Sequence, residues 1–200
     1  MAAKRPAALE LLAAALAELP GIGPVSSERL AYHLLEVPKH EALALAHAIQ
    51  RAREEICVCS LCANLDQSDP CWVCADTTRE QGTILVVESP RELLAFEASG
   101  YRGLYHVLQG RIAPLEEIGE SDLTIASLVK RVQGQSGLEV CIATDPDLEG
   151  EASAELIRER LAGSGVKVTR IARGVPAGAT IAQVQHTILS DAFEGRRPLD

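Results

Sequence analysis

Aromatic residues are nearly missing from this chain, which has two Phe, one Trp and three Tyr in 200 residues. Its core must therefore come from Leu, Ile, Val and Ala. Basic charge is also short: 19 Lys and Arg face 28 Asp and Glu, for a formal net charge of -9. That balance argues against a protein that coats nucleic acid by bulk positive charge, because phosphate binding rests on Lys and Arg releasing counterions. Local contacts stay open. No apolar run approaches the length needed to cross a bilayer. The start, "MAAKRPAALELLAAALAELP", has the basic residues and Ala/Leu stretch of a signal peptide. Glu10 and Glu18 interrupt that stretch, however, and Leu9, Leu12, Leu16 and Leu19 recur at helical spacing. It reads as a buried amphipathic helix, and the chain as cytoplasmic. Disorder is excluded because 47% of the residues are apolar.

The first 56 residues read as all-helical. A first helix leads to "LPGIGP", a second runs through "SSERLAYHLL", and a third spans about Lys39 to Ile56, with Leu45, Ile49, Ala52 and Ile56 on one face. A cysteine-rich stretch follows. From Gly82 onward "TILVVES", "GLYHVLQG", "LEVCIATD" and "KVTRIARG" read as strands, with "PRELLAFEASG", "SDLTIASLVKRVQ" and "EGEASAELIRERLAGSG" as helices between them. This alternation predicts an α/β fold with a mostly parallel sheet covered on both faces. "TIAQVQHTILSDAFEG" reads as a last helix, packed on that domain or on a neighbouring subunit.

Three groups of residues carry chemistry. In "LPGIGP", Gly21 and Gly23 allow a tight turn whose successive amides form a small nest for a phosphate oxygen. The next helix adds its N-terminus, with Ser26 as cap and Arg29 one turn in. That is the helix-hairpin-helix arrangement, which holds nucleic-acid backbone without reading sequence; the alternative is a plain turn between helices. Within residues 1–56 six basic residues face seven glutamates, so one copy should grip DNA weakly. Next, Cys59 and Cys62, then Cys71 and Cys74, form two CxxC knuckles that complete a tetrahedron for structural zinc, one ion per chain. A reducing compartment disfavours disulfides there. Cys57 reads as a half-buried thiol ending the third helix, with substitution for Cys59 as the alternative, and Cys141 reads as packing. Finally, Glu88 ends one predicted strand, and Asp145 and Asp147 follow another. Ligands gather beyond the carboxyl ends of strands in open α/β sheets, and hard oxygen ligands there suit Mg²⁺. Glu149 and Glu151 either join that site or complement the dipole of the next helix.

A strand-end Glu followed by "ATDPDLEGEA" resembles a Toprim domain, shared by topoisomerases, primases and some nucleases, and most closely its type IA topoisomerase form. Topoisomerase chemistry also needs a tyrosine nucleophile and large gating domains. The tyrosines are Tyr32, Tyr101 and Tyr105, two of them around the predicted second strand, so strand passage is not expected. The order of helix-hairpin-helix, four-cysteine module, Toprim domain and a short C-terminal segment ending in "GRR" resembles the RecR family of recombination mediators, from about Leu16 to Arg197. "YRGLYHVLQGRIAPLEEIG", residues 101–119, resembles that family's signature. The resemblance implies four regions: 1–56 for DNA binding and oligomerisation, 57–77 for zinc, 78–176 for the Toprim domain and 177–200 for a C-terminal helical segment. It also implies a non-catalytic protein that forms rings, as a tetramer or a dimer, on gapped DNA or single/double-strand junctions. With RecO, and in some settings RecF, it would let RecA displace single-strand-binding protein.

Carried over residue by residue, Gly21, Gly23 and Arg29 become DNA contacts, and Glu88, Asp145 and Glu149 a partner-binding Toprim face. Two departures stand out. Val25 replaces the lysine usual after "GIGP", removing one phosphate contact per subunit. Ala182, Gln185 and His186 stand where the family carries acids, and His186 reads as a surface polar residue. "DPD" is more acidic than in many members, which implies Mg²⁺ binding above theirs. A small Mg²⁺-dependent nuclease or primase-like enzyme is the competing expectation, and a zinc-stabilised protein scaffold the third.

Overall fold

The computed structural model describes residues 5–135, 137–196 and 198. Residues 1–4 and Arg197, on which the basic start and the "GRR" ending draw, lie outside the described residues. The chain divides into two compact units, Met1–Ile56 and Cys57–Asp200.

The first unit is three helices: α1 (Ala7–Ala17), α2 (Pro24–Glu36) and α3 (Lys39–Glu55). Pro24 at the first helical position starts α2 because its fixed φ suits a helix and its missing N–H costs nothing there. The cap is therefore Gly23, and Ser26, expected as the cap, lies inside the helix. Leu9 of α1 and Ala31 of α2 are buried, but no residue of α3 is. The expected apolar face of α3 exists, yet Leu45, Ile49 and Ile56 on it are exposed. A unit this small with so little of its apolar surface buried lacks the core that independent stability requires.

The second unit begins with a short antiparallel ribbon, β1 (Cys57–Val58) and β2 (Leu65–Asp66), followed by the single-turn α4 (Trp72–Ala75). Cys57 thus opens a strand instead of ending a helix; its exposed thiol donates to the Asp66 carbonyl at 3.3 Å. Then come β3 (Thr83–Val87), α5 (Pro90–Ala98), β4 (Leu104–Val107), α6 (Ile125–Val132), β5 (Glu139–Ile142), α7 (Leu148–Arg160), β6 (Lys167–Arg170) and α8 (His186–Glu194). The four longer strands form one sheet in the order β4-β3-β5-β6, and each neighbouring pair is parallel. The last helix is shorter than expected. Residues 181–183 form a separate 3-10 turn, and Val184 and Gln185 are extended before α8 begins at His186, which is exposed.

Strand alternation splits the core between the two faces of the sheet. Ile84 and Val86 of β3 point to a cluster with Leu128 of α6, Val140 of β5 and Ile157 of α7. Leu85 and Val87 point to the other face, where Leu93 of α5, Tyr105, Val107, Val73 and the cysteines Cys59, Cys62 and Cys71 pack. Aliphatic residues dominate the first cluster, as the scarcity of aromatics requires. Arg79 ties the second face together. It is buried, forms two 2.7 Å bonds to the Glu97 carboxylate of α5, and places its guanidinium 5.3 Å from the Trp72 ring. At the start of α5, Ser89 and Glu92 form a reciprocal capping box, and Glu92 also accepts the Glu88 amide at 2.7 Å.

Two substitutions test this account by urea unfolding. Glu97→Ala strands a buried guanidinium and should cost about 3 kcal/mol or more, whereas Ser89→Ala removes a cap and should cost about 1 kcal/mol. Equal, small effects would contradict the role given to Arg79.

Candidate metal centre and strand-end acidic face

The four predicted thiols meet. The sulfurs of Cys59, Cys62, Cys71 and Cys74 lie within 4.8 Å of one another, and among the described residues no other set of His, Cys, Asp or Glu gathers in this way. Local geometry turns each knuckle inward. Ala63 takes a left-handed φ of 60°, the Cys59 amide donates to the Asn64 carbonyl at 2.7 Å, and the Cys71 amide points at Cys59 Sγ at 3.4 Å. Asp69 Oδ1 accepts both the amide and hydroxyl of Ser60 at 2.8 Å, and Asp66 Oδ2 accepts the Trp72 amide at 2.7 Å, so side chains brace the loop from two sides. The hydrogen bond with Cys62 draws the Cys74 thiol down to about 6, and the positive charge of Arg131 acts in the same direction. Four sulfurs on a closed site fit a structural metal, with no position left for a reacting water.

The knuckle is joined to the sheet directly. The Val107 amide at the end of β4 donates to the Cys62 carbonyl at 2.8 Å, and the Gln109 side-chain amide donates to the Ala63 carbonyl.

The acids lie at the other landmark, the carboxyl ends of β3 and β5. These central strands are neighbours from which the chain winds outward in opposite directions, so the crevice between their ends is the topological switch point. Glu88 is 7% exposed there, and its Oε1 accepts the Asp145 amide at 2.9 Å. Burial raises the Glu88 pKa against that hydrogen bond. Asp147 caps α7 by accepting the Gly150 amide at 2.8 Å; that bond first, and Arg111 after it, hold its carboxyl below the usual aspartate range. Gly150 is required here, since a Cβ would sit 2.1 Å from the Asp145 carbonyl oxygen and 3.0 Å from Glu88 Oε1.

Glu88, Asp145 and Asp147, expected as possible Mg²⁺ ligands, do not converge as the thiols do. Glu88 turns one oxygen to the backbone, Asp147 spends both on Gly150 and Arg111, and Asp145 is exposed. Glu149 also pairs with Arg111, at 2.9 Å. Glu151 pairs with Arg170 at 2.6 Å and with Arg173. The Asp145 carboxylate alone among the acids of "DPDLEGE" forms no ion pair among the described residues, although Arg170 Nη2 reaches the Asp145 backbone carbonyl at 3.5 Å. Of the tyrosines, Tyr105 is fully buried and Tyr101 donates to the Thr83 carbonyl at 3.2 Å; burial raises both phenols, Tyr101 to about 12.

In the helical unit Gly21 (φ 79°) and Gly23 are exposed, with open space where a Cβ would point. Neither amide has a hydrogen-bond partner among the described residues, while the Ile22 amide closes the turn onto Leu19 at 3.0 Å. Arg29 and Val25 are exposed on α2 beside this turn.

Comparison with known proteins matches the helical unit and the sheet that carries the acids. A family model described as RecR, helix-hairpin-helix, covers residues 9–53, and one described as Toprim domain covers residues 82–172. The recombination protein RecR of Heliobacterium modesticaldum is 45% identical over 185 residues, 92% of this chain and 93% of its own length. That of Moorella thermoacetica is 44% identical over 196 residues, 98% of each. The chain belongs to the RecR family. The RecR of Pelotomaculum thermopropionicum is similar in the same degree, 46% identical over 92% of both chains.

Reading the sequence missed Arg111, Glu92 and Gly150 as parts of the acidic face. The glycine was visible inside "LEGEA", but only its approach to Asp145 explains it. Glu92 was legible as the last residue of the local Ser-x-x-Glu capping box, whereas Arg111 acts through contacts across the fold that no local spacing encodes.

Two outcomes follow. Cys71→Ser should abolish the one equivalent of metal retained per chain, read by elemental analysis, and lower the urea midpoint; full metal content would contradict the closed four-thiolate site. Gly150→Ala should cost more than the ~1 kcal/mol helix gain expected of an exposed Gly→Ala change would offset, so net stabilisation would contradict the contact with Asp145.

Proposed function

We propose that the chain is a non-catalytic mediator of DNA recombination and repair, acting in the cytoplasm with one structural zinc per subunit. It binds gapped DNA or single/double-strand junctions as a ring-like oligomer, a tetramer or dimer. With RecO, and in some settings RecF, it helps RecA replace single-strand-binding protein. The observation that carries this reading is the match of 92–98% of the chain to proteins named for recombination.

The geometry is consistent with its DNA contact, its assembly and its docking face. Gly21 and Gly23 offer unpartnered amides to a phosphate and Arg29 is exposed on the helix that follows, while φ 79° makes Gly21 a backbone requirement. The exposed apolar face of α3 supports assembly through the helical unit. Several weak hairpins held in one ring act together, which offsets the acidic charge of each copy. At the Toprim face Asp145 is the accessible carboxylate that forms no ion pair among the described residues, open to a basic partner surface. Glu149 flanks it, and the buried Glu88 positions Asp145 through its backbone.

Labelled gapped DNA, incubated at low salt with Mg²⁺ or EDTA, tests this reading. Intact DNA should shift as the protein reaches oligomeric concentrations, and Arg29→Ala should reduce the salt dependence by about one phosphate contact per engaged hairpin. Mg²⁺-dependent nicking abolished by Asp145→Asn would replace the mediator with an enzyme.

A further inference from the structure

Arg111 sits among the strand-end acids. Its Nη1 lies 2.6 Å from Asp147 Oδ2 and its Nε 2.9 Å from Glu149 Oε2, one guanidinium spanning two carboxylates. Its charge also reaches Glu88, where it acts against the upward push of burial. The backbone holds Arg111 from both sides, through the same elements that carry the acids. On one side the Gly110 amide donates to the Glu88 carbonyl at 2.9 Å. On the other, the Ile112 amide donates to Ser153 Oγ at 2.8 Å, and that fully buried hydroxyl donates to the Glu149 carbonyl at 2.9 Å. Arg111 is thereby anchored next to Glu88 and next to Glu149 at once.

We propose that Arg111 is a built-in cation that occupies the place of a divalent ion in this Toprim acid set, pairing with both Asp147 and Glu149 and closing the set to Mg²⁺. Mg²⁺ demands near-octahedral oxygens at about 2.0–2.1 Å and gives up its water reluctantly. To enter, it would have to take Asp147 Oδ2 and Glu149 Oε2 from a guanidinium that never deprotonates and whose fork already fits them. It would then lie beside that fixed positive charge. The oxygens left over belong to Asp145, on the exposed rim, and to Glu88, which is buried and already bound to the backbone. The acidic sequence pattern of a metal site is thus retained while two of its carboxylates are held by a cation from within the chain. This holds whether or not the face docks a partner.

Calorimetric titration of Mg²⁺ into the metal-loaded chain tests the proposal. The wild-type chain should give no saturable heat in the millimolar range. Arg111→Gln, checked for an unchanged thermal unfolding profile, should bind roughly tenfold or more tightly than wild type, and Arg111→Gln combined with Asp145→Asn should lose that gain. Arg111→Lys, which keeps the charge, should bind no better than wild type. Wild type and Arg111→Gln binding Mg²⁺ equally, or neither binding it, would overturn the proposal. So would saturable wild-type binding that Asp147→Asn abolishes, a result that needs no change at Arg111.

Discussion

Glu88 lies where two halves of the sheet meet, and burying its carboxylate is costly unless hydrogen bonds satisfy it. One of its oxygens takes the Asp145 amide from the end of β5, across the switch point of the sheet. Its own amide is held by Glu92, and its carbonyl receives the Gly110 amide. Three chain segments therefore converge on one residue: the start of α5, the loop after β4 and the turn into α7. Gly150 lets that turn pass close to Glu88, and the cap made by Asp147 fixes where α7 begins. The parts of the acidic face are wired to the backbone, which suits docking better than exchange of ligands around a reacting ion.

The four-thiolate knuckle supports the same sheet from the side. Three of its cysteines lie in one cluster with Leu85, Val87 and Val107, and its Cys62 carbonyl extends the edge of β4. A metal held there would be coupled to the packing of one sheet face, and the free energy of its binding would contribute to folding in the manner of small zinc modules. Arg79 reinforces the join by lying against Trp72 on one side and pairing with Glu97 on the other. A chain with few aromatics places two of them, Trp72 and Tyr105, around this one buried guanidinium.

Much of this was legible in the sequence because its signals are local. The CxxC spacing announced the knuckles, β-branched runs alternating with helical periodicity announced the parallel sheet, and Gly-x-Gly between helices announced the hairpin. Most of what stayed hidden depends on distant partners. The apolar stripe of α3 was correctly periodic, but periodicity does not say what covers it, and within this chain Leu45 and Ile49 are exposed. Ser26 resembled a cap until Pro24 fixed the helix start two residues earlier. The acids of "DPDLEGE" resembled metal ligands because sequence lists carboxylates without their counter-charges. Arg111, Arg170 and Arg173 lie far from them along the chain and meet them only in the fold.

The central claim is that this acidic, metal-braced fold mediates filament exchange without chemistry of its own. The most direct measurement follows RecA filament growth on gapped DNA coated with single-strand-binding protein, with RecO present, as this chain is added. Faster filament growth with every DNA strand recovered intact is the predicted result. Filament growth unchanged by the chain, or DNA strands altered by it, would contradict the account.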